Sequence, residues 1–157
     1  MIILGIDPGT SLIGYGIIET LRNGYRAVTY GTCVTPPRID AYERLPLIQD
    51  FFTKIIKKYK PEHIGLEQLF FSRNVSTAMG VSEVRGVLIA LAAQYGIPIS
   101  QFTPPQVKRA VSASGAAGKQ QVQAMVKLIL SLKEIPKPDD AADALAIAIC
   151  SANTIVE

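Results

Sequence analysis

A segment near the end of the chain predicts a helix that is apolar nearly all round, and this feature restricts the fold more than any other. The segment begins at Asp139 and runs to about Ser151, and every residue from 144 to 149 is apolar. A helix that is apolar all round has to be buried, so other elements must surround it. The chain has 157 residues, of which 48% are hydrophobic, and is therefore long enough to bury such a helix. We expect residues 1–157 to form a single domain.

The remainder of the chain predicts strands, and then strands that alternate with helices. Three strands come first, at 2–6, 13–18 and 25–34. Helical periodicity follows at 42–59 and 76–95, and short strands are predicted at 64–67 and 97–102. Further helices begin at Thr103 and at Lys119. This order predicts an α/β fold with a mixed five-stranded sheet, in which helices flank a three-strand antiparallel meander and two parallel strands.

Carboxylates occur where the predicted buried segments end or begin. Asp7 and Glu67 each end an apolar strand, whereas Asp140 and Asp143 share one face of the last helix. Asp7 could instead hold an Asx turn, Glu67 could lie at the surface, and Asp139 or Asp140 could cap the helix. Taken together, the acids indicate a cleft in which hard cations neutralise like charges. Oxygen ligands favour Mg²⁺ or Mn²⁺, and two such ions would suit phosphodiester hydrolysis.

Three motifs resemble those of the RuvC family of Holliday-junction resolvases: G-I-D-P-G-T at 5–10, E-Q-L-F at 67–70 and D-A-A-D-A-L-A at 140–146. The resemblance extends over essentially the whole chain. It implies an RNase H-like fold and a crossover junction endodeoxyribonuclease of homologous recombination and DNA repair. Such an enzyme makes symmetrical paired nicks that leave 5′-phosphate and 3′-hydroxyl ends.

The resemblance also implies a ligand set and partners. Two Mg²⁺ per subunit, which Mn²⁺ can replace, are expected at four carboxylates, namely Asp7, Glu67, Asp140 and Asp143. Some relatives carry His at the third of these positions, whereas this chain carries Asp140, so its site is all-carboxylate. A homodimer and a RuvA–RuvB branch-migration complex are the implied protein partners. The helix predicted at 76–95, which is apolar on more than one side, is the candidate dimer contact. Asp139 has no role in this scheme.

A basic stretch predicts a surface that contacts phosphates, and the resemblance implies that its ligand is four-way junction DNA. No acidic residue occurs from 84 to 133, although the net charge of the whole chain is only +3. A weakly basic solvated face is the alternative to a phosphate-contacting surface. Lys119 begins a helix after a glycine-containing loop, and such a position suits a phosphate. The resemblance implies that Lys108 and Lys119 act in DNA binding or catalysis. The basic residues of the stretch are Arg85, Lys108, Arg109, Lys119, Lys127 and Lys133.

Aromatic and basic residues directly after Glu67 are further candidates for DNA binding. One of Phe70 and Phe71 could belong to the core while the other stacks on an unpaired base, and Arg73 could contact a phosphate. The resemblance favours Phe70 for the stacking role. Arg109, beside Lys108, is also predicted to bind DNA. The single histidine, His63, is interpreted as an ordinary surface or loop residue.

The sequence also bears on the compartment. Cys33 and Cys150 lie far apart and outside any CxxC spacing, which is typical of small buried thiols in a reducing compartment. No apolar run reaches the roughly 18 residues of a membrane span, and the first residues lack the basic segment of a secretory signal. We therefore expect a cytoplasmic protein without a membrane partner.

Three other functions compete with the resolvase. Asp7-Pro8-Gly9-Thr10 is also similar to the phosphate-binding segment of actin-like phosphotransferases, but those enzymes need two such lobes and the motif occurs once here. A non-catalytic DNA-binding module would not need the four carboxylates. An RNase H-like nuclease that acts on RNA or on other DNA would use the same metal chemistry.

Overall fold

The computed structural model describes residues 1–68 and 75–156. The described strands are β1 (Ile2–Asp7), β2 (Leu12–Leu21), β3 (Gly24–Val34), β4 (His63–Glu67) and β5 (Ile99–Phe102). The described helices are α1 (Ala41–Tyr59), α2 (Val75–Gln94), α3 (Pro104–Ser112), α4 (Lys119–Ile129) and α5 (Asp139–Val156). Within these ranges, every helix is too short or too polar to span a membrane.

The described strands form one mixed sheet in the order β3-β2-β1-β4-β5. β1, β2 and β3 are antiparallel neighbours, whereas β1, β4 and β5 run parallel. The predicted meander with two added parallel strands is therefore confirmed. β1 lies in the middle, and its Ile6 pairs with Leu66 of β4. The next residues along the two strands are Asp7 and Glu67, so these acids lie side by side at the carboxyl edge of the sheet.

Helices cover both faces of the sheet and form two apolar cores. One core contains Leu4 and Ile6 of β1 together with residues of α1 and α2. The other contains Ile3 of β1 together with residues of α3, α4 and α5. Because side chains alternate along a strand, Gly5 and Asp7 belong to the same face as Ile3, which is the face that α5 covers.

The helix α5 is as buried as its composition predicts, since Ala144, Leu145 and Ala146 are completely inaccessible to solvent. It lies so close to the sheet that there is no room for a side chain on the strand residues beneath it. A Cβ atom on Gly5 would be 2.1 Å from the carbonyl oxygen of Ala144, and one on Gly14 would be 2.0 Å from that of Asp140. The two strands therefore need glycine where the helix crosses them.

Several boundaries and one placement differ from the sequence predictions. β2 is longer than expected, β5 begins at Ile99, α4 ends at Ile129 and α5 extends to Val156. His63 is not in a loop: it begins β4, is half-buried, and its Nε2 atom lies 2.9 Å from Ser100 Oγ. The interpretation of Cys33 and Cys150 as free, buried thiols is confirmed.

Candidate functional site

Two strands and one repeated tripeptide pattern position the first pair of acids. Gly5-Ile6-Asp7 ends β1, and Gly65-Leu66-Glu67 ends β4. In each tripeptide the glycine and the acid share the face that α5 covers, because side chains alternate with a period of two. The glycine admits the helix: a Cβ on Gly65 would lie 3.0 Å from Ser151 Cβ. The acid two residues later then lies at the edge of the contact between α5 and the sheet.

The start of α5 brings the second pair of acids to the same edge. Gly14 of β2 is the register partner of Asp7, and it is also the residue that touches the main chain of Asp140. Asp143 follows one turn later on the same helix. The structure thus brings together the four acids that the sequence singled out, although they are separated by as many as 136 positions along the chain.

Asp7 has the most perturbed carboxyl group of this cluster. Burial, followed by the charges of Glu67, Asp143 and Asp140, raises its pKa to about 8, against a smaller opposing effect of Lys119. Burial and then the charge of Asp143 raise the pKa of Glu67, and burial raises that of Asp143 as well. Such shifts mark carboxylates that lie close together without a compensating cation.

The donor set fits a hard divalent cation. All four side chains offer oxygen only, which suits Mg²⁺ or Mn²⁺ and not zinc. Across residues 1–68 and 75–156, no three His, Cys, Asp or Glu side chains are gathered tightly enough to hold an ion as they stand. The acids are close enough to raise the pKa of Asp7 yet are not gathered as a coordination sphere.

A cleft of about 230 Å³ opens beside the acids. Glu67 and Asp143 line it, and so do Lys108 of α3 and Lys119 of α4. The two lysines predicted near the metal site are therefore at the carboxylates. α3 is anchored at its start by Thr103, whose main-chain nitrogen donates a 2.8 Å hydrogen bond to Gln106 Oε1.

Among the described residues, Lys119 is the one that forms ion pairs with the acids of α5. It is the first residue of α4, directly after the N-cap Gly118. Its Nζ atom lies 3.0 Å from Asp139 Oδ2 and 3.8 Å from Asp143 Oδ2. The hydrogen bond to Asp139 is the main reason that the pKa of Lys119 is raised. Asp139 is the first residue of α5 and not the residue before it, and its carboxylate contacts α4 instead of capping its own helix.

Arg85 does not belong to the basic surface, contrary to the sequence prediction. It is only 8% exposed, and its guanidinium donates hydrogen bonds to the main-chain carbonyl of Glu67 and to Gln101 Oε1. The residue therefore ties α2 to the ends of β4 and β5. The sequence shows the charge of Arg85 but not the direction of its side chain, which is buried like that of the preceding Val84.

Three other basic residues of the stretch, Arg109, Lys127 and Lys133, do not line the cleft beside the acids. Arg109 lines a separate cleft, together with Phe102 and Asn153, because neighbouring residues of a helix point about 100° apart. Lys133 is exposed and Lys127 is half-buried. The predictions on Phe70, Phe71 and Arg73 lie outside the described residues.

The raised pKa of Asp7 predicts how the stability of the metal-free protein depends on pH. An ordinary Asp has a pKa of 3.8, so the folded chain binds more protons than the unfolded chain between about pH 4 and pH 8. Stability therefore falls as the pH rises through this window, by up to about 1.4 kcal/mol per pH unit from Asp7 alone.

This dependence can be measured by thermal unfolding in EDTA at pH 6 and pH 8. We expect the higher Tm at pH 6, a larger Mg²⁺-induced rise at pH 8, and a much weaker pH dependence in Asp7→Asn. A Tm of the native chain that does not change between the two pH values in EDTA would contradict the assigned environment of Asp7.

The fold and the site together define the class of protein. A mixed sheet in this strand order, with acids at the carboxyl ends of two central parallel strands and at the start of a helix packed on them, is an RNase H-like nuclease domain. Residues 3–151 match the family model described as "Crossover junction endodeoxyribonuclease RuvC". The chain belongs to the RuvC family.

Similar proteins cover nearly the whole chain. Crossover junction endodeoxyribonuclease RuvC of Heliobacterium modesticaldum is 50% identical over 99% of this chain and 96% of its own length. The protein of the same name from Halothermothrix orenii is 48% identical over 98% of this chain and 93% of its own length.

Solved structures of resolvases resemble this fold. Thermus thermophilus RuvC in complex with a Holliday junction substrate superposes with a TM-score of 0.91, at 32% identity over 99% of this chain and 96% of that one. The yeast mitochondrial Holliday junction resolvase Ydc2, at 16% identity and a TM-score of 0.68, shares the fold.

Proposed function

We propose that this chain is a Holliday-junction resolvase, in which residues 1–157 form a single nuclease domain that binds four-way DNA junctions and nicks them symmetrically. The observation that carries the proposal is the cleft that Glu67 and Asp143 line together with two lysines, with Asp7 and Asp140 near enough for the charges of the other three acids to raise the pKa of Asp7. Membership of the RuvC family, whose members are named crossover junction endodeoxyribonucleases, and the Holliday junction complex of a similar RuvC indicate the substrate.

The carboxylates would hold the metal, two Mg²⁺ per subunit with Mn²⁺ as a substitute, through oxygen ligands alone. When bound, such ions activate water and stabilise the leaving oxygen, so that hydrolysis needs no covalent intermediate and leaves 5′-phosphate and 3′-hydroxyl ends. Lys108 and Lys119 bind the scissile phosphate and orient it against the acids. Phe70, Phe71, Arg73 and Arg109 are assigned to further DNA contacts, with Phe70 for base stacking.

A homodimer suits this substrate, because a two-fold dimer presents two identical sites to the two strands that must be cut. The helix α2 supports it, since Met79 is 62% exposed and Ile89 is 38% exposed on that helix. Met and other large apolar side chains that remain exposed on a helix packed in the core are candidates for the buried centre of an interface. A cytoplasmic location and cooperation with a RuvA–RuvB complex complete the proposal.

The actin-like phosphotransferase is disfavoured, because the described residues form one sheet and thus one lobe. An RNase H-like nuclease with another substrate shares every feature of the acidic site. Only the choice of nucleic acid separates that alternative from the resolvase.

The experiment that tests the proposal compares a four-way junction with a linear duplex of the same arm sequence and with an RNA–DNA hybrid. In EDTA, gel shifts should give at least about tenfold tighter binding of the junction than of the duplex, which is about 1.4 kcal/mol. After Mg²⁺ is added, denaturing gels should show symmetrical nicks in two opposite strands of the junction. Preferential cleavage of the hybrid or of the duplex would favour the alternative nuclease instead.

A further inference from the structure

We propose that Asp139, supported by Gln123, is a positioning residue that holds the Lys119 ammonium at the rim of the cleft. This inference rests on the proposed function, because it takes Asp143 as a ligand of the metal and Lys119 as a phosphate contact. It gives a role to the acid beside the ligand set that the nuclease scheme leaves unused.

Two side chains of α4 face the start of α5. Lys119 and Gln123 are four residues apart on α4, and Asp139 and Asp143 are four residues apart on α5. Such residues lie on one face of their helix. The carboxylate of Asp139 binds both of these α4 side chains. Its Oδ2 atom lies 3.0 Å from Lys119 Nζ, and its Oδ1 atom accepts a 2.9 Å hydrogen bond from Gln123 Nε2. Gln123 is buried, so it fixes the orientation of the Asp139 carboxylate.

Metal binding would decide between the two acids that Lys119 contacts. Lys119 Nζ lies 3.8 Å from Asp143 Oδ2, and a divalent cation held by Asp143 would cancel the charge of that carboxylate and weaken its attraction for the ammonium. Asp139 stands outside the four ligands and keeps its charge. The ammonium then stays on Asp139, one helical turn from Asp143, where it faces the same cleft as Lys108.

The ion pair contributes little to folding. The side chains of Lys119 and Asp139 are 57% and 58% exposed, and ion pairs this exposed are screened by solvent. A change at Asp139 should therefore leave the Tm nearly unchanged. This separates a positioning role from a structural one.

The first test measures where the ammonium is, independently of cleavage. The protein, with Mg²⁺ and without DNA, is treated briefly with acetic anhydride, and the acetylation of each lysine is measured by peptide mass spectrometry. In Asp139→Asn, acetylation of Lys119 should rise about threefold or more, as expected for loss of an ion-pair coupling, while Lys108 and Lys133 stay constant as internal standards. Equal acetylation of Lys119 in the two proteins would overturn the proposal.

The second test is a double-mutant cycle on junction nicking. Asp139→Asn should lower kcat by about five- to tenfold with less than about a twofold change in KM. Asp139→Glu, which keeps the charge, should recover part of that loss. In the Lys119→Met background, Asp139→Asn should have no further effect, because the residue through which it acts is gone.

The cycle also separates this inference from the proposed function. Additive losses in the Lys119→Met background would mean that Asp139 acts on the metal and not on the lysine, which overturns the inference and leaves the nuclease intact. A native protein that cuts no junction would overturn the proposed function. The acetylation result would still show whether Asp139 holds the Lys119 ammonium. Glu19→Gln, which removes the exposed pair with Arg26 on the β2–β3 edge, is the matched control and should change neither readout.

Discussion

Replacing Asp7 with asparagine is expected to abolish Mg²⁺-dependent nicking of a four-way junction while junction binding persists. Asp7 ends the central strand of the sheet and is the acid on which the charges of Glu67, Asp140 and Asp143 act together. Asparagine keeps the shape of the side chain but cannot supply the anionic oxygen that a hard cation needs. We expect nicking to fall by at least about 1,000-fold, equal to about 4 kcal/mol of transition-state stabilisation.

The substitution should not harm folding, because it removes a buried like charge. In EDTA the Tm of Asp7→Asn should equal or exceed that of the native chain, most clearly at pH 8, where the native carboxyl group is losing its proton. Junction affinity in EDTA should stay the same or increase, since one negative charge near the phosphates is removed. Loss of cleavage can then be assigned to the site and not to an unfolded protein.

Asp50→Asn is the matched control for this change of charge. Asp50 is exposed on α1, which packs on the face of the sheet opposite to α5. The same substitution there should leave nicking and its Mg²⁺ dependence within about twofold of the native values. Cleavage by Asp7→Asn at the native rate in Mg²⁺ would show that the metal is not held at this cluster.

The parts of the fold that could be predicted are those that depend on local pattern. The apolar composition around Ala144 predicts burial of α5 whatever covers it, and the order of strands and helices predicts the mixed sheet. Asp7 and Glu67 could be singled out because a carboxylate at the end of an apolar strand needs a partner, and Asp140 and Asp143 because they share one face at the start of an apolar helix. A further local signal was available in Gly5-x-Asp7 and Gly65-x-Glu67, where a glycine that admits a helix precedes the acid by one period of the strand.

The parts that could not be predicted depend on which way a side chain points. Lys108 and Arg109 are adjacent and chemically alike, yet only Lys108 lines the cleft with the acids. Arg85 has the charge of a DNA contact but is buried against the ends of β4 and β5. The contact of Asp139 with α4 requires the packing of two helices that the chain joins through a loop. No local pattern encodes that packing.

Substituting Gly14 with alanine is expected to have the second large effect, on both stability and nicking. A Cβ atom at this position would lie 2.0 Å from the carbonyl oxygen of Asp140 and 2.5 Å from its carbonyl carbon. These are main-chain atoms of a buried helix, so a change of rotamer cannot relieve the contact. We expect a loss of about 3 kcal/mol and a fall in Tm of about 10 °C, measured by circular dichroism in EDTA.

Gly86→Ala is the control for the chemical change itself. Gly86 is exposed within α2 and has open space where its Cβ would be built. Alanine is a better helix former than glycine by about 1 kcal/mol, so the same substitution there should preserve or raise the Tm. A fall in Tm in both variants would point to a general effect of alanine and not to the contact between β2 and α5.

The decisive measurement on Gly14→Ala is nicking at a temperature well below its Tm, where the chain is folded. Gly14 pairs with Asp7 in the sheet and touches Asp140, so the added methyl group separates these two acids directly. A displacement of about 1 Å between groups that act on one phosphate can cost about 100-fold in rate. The Mg²⁺-induced rise in Tm should shrink in parallel, because the same separation weakens the ligand set. A folded Gly14→Ala that cuts at the native rate would mean that α5 can move away from β2 without moving the site, and that the glycines serve packing alone.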